Sequence, residues 1–131
     1  MANTVTKQTL VDGQRRLIVK VDIAGDGTGE ETGTIIIDAS TYSPAFTDCT
    51  IKAVQTQIVG FTAKLLFDAT TDVTALSVTD GVGSYGISDI IAECGGIPNN
   101  AGEGKTGDIL ITTAGLGAGD HGTIIIDLIK D

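Results

Sequence analysis

With 131 residues and 13.4 kDa, the chain is long enough for one domain with an ordinary hydrophobic core. Its 17 acidic side chains against 8 Lys and Arg leave a net charge of -9, which repels phosphate backbones and argues against nucleic acid or an anionic membrane as a partner. No apolar run approaches the ~20 residues that span a bilayer, and the opening Met1-Ala2-Asn3-Thr4-Val5-Thr6-Lys7 lacks a signal peptide's apolar stretch, so a soluble chain that is not exported on its own is expected.

The 17 Ile, 9 Val and 19 Thr make about a third of the chain β-branched, which suits pleated sheets. With three Phe, two Tyr and no Trp, the core must be aliphatic. In chain order, residues 4 to 11 read as a polar strand, and Asp12-Gly13 reads as a hairpin turn. Leu17, Val19, Val21 and Ile23 then alternate with polar neighbours, predicting a half-buried strand over 16 to 23. A less regular strand is expected at 34 to 38. Over 50 to 59 the apolar phase shifts from Ile51 and Ala53 to Val54, Thr56 and Ile58, as one inserted residue would make it do, so a bulge is expected there. Phe61, Ala63, Leu65 and Phe67 give a second clean alternation, and Ile109, Ile111 and Thr113 a third. Further strands are expected at 73 to 79, 85 to 91 and 123 to 130, with Ile87 to Cys94 as the one candidate for a helical turn. The fold class is therefore all-β: a single compact β-sandwich or barrel over residues 1–131, of eight or nine short, mostly antiparallel strands. Residues 1–9 read either as an extended N-terminal arm or as an ordinary edge strand or tail.

Gly33-Thr34-Ile35-Ile36-Ile37-Asp38 recurs as Gly122-Thr123-Ile124-Ile125-Ile126-Asp127. One hexapeptide does not make a repeat architecture, and two core strands in the same β-branched vocabulary are the simpler reading. In the second copy, however, Ile125 and Ile129 share a face with Thr123 and Asp127 while Ile124, Ile126 and Leu128 fill the other. Both faces cannot be equally wet, so another sheet or another chain is expected to cover the second.

Motifs for chemistry are weak. Gly104-Lys105-Thr106 has the ending of a phosphate-binding loop, but Asn99 stands where the first Gly belongs and a strand follows instead of a helix. Asp26-Gly27-Thr28-Gly29-Glu30-Glu31 has calcium-loop composition without the EF-hand spacing, and reads as a solvated, mobile loop. His121 is the only His and reads as an exposed turn residue. No catalytic, cofactor or metal residues are assigned, and an enzyme is not expected. Cys49 and Cys94 show neither metal-ligand spacing nor secreted-scaffold density, so two reduced thiols are expected.

Thr4-Val5-Thr6-Lys7-Gln8-Thr9-Leu10-Val11-Asp12-Gly13, Phe67-Asp68-Ala69-Thr70-Thr71, and Asn99-Asn100-Ala101-Gly102 through Thr106-Gly107-Asp108-Ile109 resemble small proteins encoded among the virion genes of tailed bacteriophages. The resemblance covers most of the length, in turn and strand words. It implies a structural role, head decoration (cement) first and a tail or fibre component with a receptor-binding role next. Where many such proteins carry Trp beside the Asp-Ala-Thr-Thr segment, this chain has Phe67, and no functional residues carry over. The implied partners are the major capsid protein of a phage head and copies of the chain itself, as a homo-oligomer in the virion after synthesis in the host cytoplasm. The candidate interface residues are Thr4, Val5, Thr6, Ile125 and Ile129. A small cellular β-sandwich that binds a ligand is the competing class.

Overall fold

The structure, a computed structural model, describes residues 3–87 and 89–130. Strand β1 (Thr4–Asp12) runs antiparallel to β2 (Arg16–Ala24), and the Gly13 amide donates to the Arg16 carbonyl at 2.8 Å to close the expected hairpin. Of the segment 1–9, expected as an arm, an edge strand or a tail, residues 4 to 9 are part of the paired edge strand β1, and residues 1 and 2 lie outside the described residues. β3 (Thr34–Ile37) leads into one turn of 3-10 helix at Ala39–Thr41, capped by the Asp38 carboxylate, which accepts from the Ser40 amide. Then come β4 (Cys49–Val59), β5 (Thr62–Phe67), β6 (Val73–Val78), β7 (Gly81–Tyr85), the short helix α1 (Ile90–Cys94), the two-residue β8 (Ile97–Pro98), β9 (Ile109–Ala114) and β10 (His121–Lys130).

These strands form two antiparallel sheets. One has the order β1-β2-β10-β4-β7, with β8 also paired to β4; the other has the order β3-β9-β5-β6. The inner faces meet in one aliphatic core, a β-sandwich as the strand pattern predicts. Leu17, Val19 and Val21 of β2, with Ile124, Ile126 and Leu128 of β10, lie against Leu65 and Phe67 of β5 and Ile109 and Ile111 of β9, all fully buried. The phase change in β4 is a bulge. Ala53 opposes Asp127 and Ile51 opposes Leu128, so Lys52 is the extra residue, and Ile51 and Val54 both point inward. The two copies of the hexapeptide serve different ends: β10 is flanked by two strands, whereas β3 is an edge strand whose Ile35 is exposed.

Two local expectations need correction. The strand placed at 85 to 91 ends at Tyr85; Asp89 then starts α1, its carboxylate accepting from the Ala92 amide, and Gly95 ends it in the left-handed region at φ 86°. The 26–31 loop is tied down rather than mobile. The Glu30 carboxylate accepts from the Thr113 hydroxyl (2.8 Å) and from the amides of Gly115 (3.0 Å) and Leu116 (3.1 Å), while the Glu31 backbone bonds Thr113 in both directions. Those donors, led by the Leu116 amide, hold the Glu30 carboxyl below the usual range. Lys130, at the end of β10, is buried, and its ammonium donates to Asp12 at 2.6 Å and to the Gly13 carbonyl at 2.8 Å. The chain's final strand is thereby tied to its first hairpin.

Candidate functional site

Strand alternation places every second residue of the six-stranded sheet on the face away from the core. Across β2, β10 and β4 that face carries Ile18, Ile125, Ile129 and Ala53, interleaved with Lys20, Asp22, Asp127, Gln55 and Gln57. Among the described residues no further sheet or helix covers it. Ile18, Ile125 and Ile129 are half-buried there. Of the sequence-predicted residues, Ile125 and Ile129 lie on this face as expected, as do Thr4 and Thr6, through their pairing with Ala24 and Asp22. Val5 does not. It pairs with the inward Ile23 and packs against the core, because one step along a strand reverses the face.

The face has two chemically distinct ends. At one, Thr4, Thr6, Asp22, Gln57, His121 and Thr123 line a groove of about 380 Å³, and the Thr123 hydroxyl donates to Asp22 at 2.6 Å. His121 is exposed there at the start of β10, with its Nδ1 3.2 Å from the Gly119 carbonyl. At the other end, Arg15, Arg16, Lys52 and Ile129 line a hollow of about 330 Å³. The Arg16 guanidinium meets Asp127 at 2.9 Å, and this carboxylate raises the guanidinium's already high pKa. Sequence reasoning missed this basic corner. Lys52 reaches it through the β4 bulge, and Arg15 from the hairpin loop, so no local run of cations announces it.

The other motifs resolve as structure. Lys105 sits in an exposed turn and pairs with Asp48 at 2.9 Å, and β9 follows the turn where a phosphate loop needs a helix. Asp38, Thr106 and Asp108 line a second hollow, where burial, aided by the nearby Asp38 and Asp68 charges, raises the Asp108 carboxyl. Among the described residues no three His, Cys, Asp or Glu side chains stand close enough to hold a metal ion. Cys49 is buried at the start of β4, and Cys94 is exposed at the end of α1.

No protein-family model matches the chain, and no curated protein matches it. Among solved structures, a cupin domain from Bordetella pertussis Tohama I is similar at 14% identity over 100% of this chain and 98% of that one. Its TM-score of 0.38 is too low to carry an argument about this chain's fold or site.

Proposed function

We propose that the chain is a non-enzymatic structural protein of a tailed-phage virion, decorating the outer surface of the capsid, and that it docks by the outer face of its six-stranded sheet. The observation that carries the reading is this face itself: three half-buried isoleucines, Ile18, Ile125 and Ile129, on the central strands, with nothing in the described chain laid over them. Isoleucines interleaved with charged and polar side chains match the mixed composition of a non-obligate protein interface. The resemblance of the strand and turn sequences to phage virion proteins supplies the setting. Modest affinity at each contact suffices in that setting, because a capsid repeats the contact many times on symmetric neighbours.

Quantitative mass spectrometry of purified particles of the encoding phage, with cryo-electron microscopy, tests the proposal. It expects a copy number near that of the shell protein and density on the outside of the head. A handful of copies at the tail would support the tail or fibre role instead, and absence from the particle would overturn the virion reading.

A further inference from the structure

Charge on this molecule is unevenly placed. Arg15, Arg16, Lys20 and Lys52, half of the eight cations, stand on or beside the outer face, against Asp22 and Asp127. Among the described residues four cations against two carboxylates leave the face two positive, in a chain whose net charge is -9. The pairing of these cations is as uneven as their placement. Arg16 is paired with Asp127, and Lys20 lies 3.5 Å from Asp22. Arg15 and Lys52 are exposed, line one hollow with Ile129, and have no carboxylate within 4.0 Å among the described residues, in a chain with twice as many acids as bases. Two cations with no carboxylate partner among the described residues, beside an isoleucine, form a receptor for a carboxylate next to an apolar side chain.

We infer that the partner of this face is an acidic segment of another protein, which places a carboxylate between Arg15 and Lys52 and an apolar side chain on Ile129. The inference rests on the reading that this face docks, and adds the chemistry of what it docks to. Charge complementarity selects this occupant. A second copy laid face to face opposes two net-positive surfaces. Nucleic acid or an anionic vesicle meets only a small basic corner on a molecule whose remainder repels it. For an acidic protein surface, the same asymmetry turns the basic face inward and the acidic remainder outward as the molecules approach.

The test is an NMR titration of the isotope-labelled full-length chain with a capped pentapeptide alternating Glu and Leu, run beside a Lys-and-Leu version, a DNA duplex and phosphatidylserine vesicles. The acidic peptide should shift the amides of Arg15, Arg16, Lys52 and Ile129, weaken with added salt, and bind about tenfold more weakly or worse to Arg15→Glu/Lys52→Glu. Both substituted side chains are exposed and have no ion-pair partner among the described residues, so a melting curve like that of the parent is expected for the variant. No shift at the corner, equal binding of the Lys peptide, undiminished binding to the variant, or preference for DNA or vesicles would each overturn the inference. Association with capsids lacking the protein separates this failure from that of the docking reading. If Ile125→Asp abolishes association and Arg15→Glu/Lys52→Glu does not, docking stands and the acidic partner falls; if neither variant matters, the docking reading falls.

Discussion

Neighbouring isoleucines on β10 should respond to the same truncation in opposite ways. Ile126 is fully buried, opposite Val19 and Val54, which are themselves buried, at the middle of the six-stranded sheet. Ile126→Ala removes three carbon groups at about 0.8 kcal/mol each, or about 2.4 kcal/mol of transfer free energy. The void adds to this, because flanking strands on both sides and the second sheet beneath hinder collapse, so a total of about 3–4 kcal/mol is expected. For a domain of this size that lowers Tm by roughly 10–15 °C. Ile125→Ala, one residue away on the uncovered face, should cost under about 1 kcal/mol in the isolated chain. Urea unfolding of both variants reads the difference as a shift in midpoint at constant slope. Equal losses in the two variants would mean that the sheet is not one-sided in the isolated chain, and would refute the face assignment.

Other expectations follow from particular contacts. Glu30 is held below the usual range when folded, so its contribution is fully present above the unfolded value of about 4.3 and is lost as the pH falls through the folded one. Glu30→Gln should therefore weaken the acid-side fall in stability, and should speed hydrogen exchange at Gly115 and Leu116; unchanged exchange would contradict the staple. Lys105→Ala removes only a surface ion pair with Asp48 and should change stability within about ±0.5 kcal/mol; loss of ATP or GTP binding in this variant would instead revive the phosphate loop. A thiol reagent should modify Cys94 in the folded protein and Cys49 only after denaturation, and the reverse order would contradict their burial.

What the sequence makes visible is what is local. Period-two alternation marks β2, β5, β9 and β10 because each has one face in the core. The slip in that period within β4 locates the Lys52 bulge for the same reason. The strand expected at 85 to 91 gives way to its helical alternative over 87 to 94, because Gly86 and Asp89 end β7 and start the turn of α1. The Glu30 staple and the Arg15–Lys52 corner depend on residues far apart in sequence: Glu30 and Thr113 are separated by 83 positions, and no local pattern encodes such pairings. Face assignment on β10 was readable, since Ile125 and Ile129 are fixed by their own strand. On β1 the side chains are mostly exposed on both faces, so composition did not separate Val5 from Thr4 and Thr6.

In the proposed role, the outer face of the six-stranded sheet holds the chain to the capsid. Co-sedimentation of Ile125→Asp with capsids lacking the protein, beside a melting curve of the variant, tests it most directly. Ile125 is half-buried and faces Lys20 and Gln55 across the two ladders, so an aspartate there is tolerated by the monomer. Within a desolvated interface the same carboxylate costs several kcal/mol. The prediction is a folded variant with near-parental Tm that no longer sediments with capsids. A folded variant that sediments like the parent would contradict the claim.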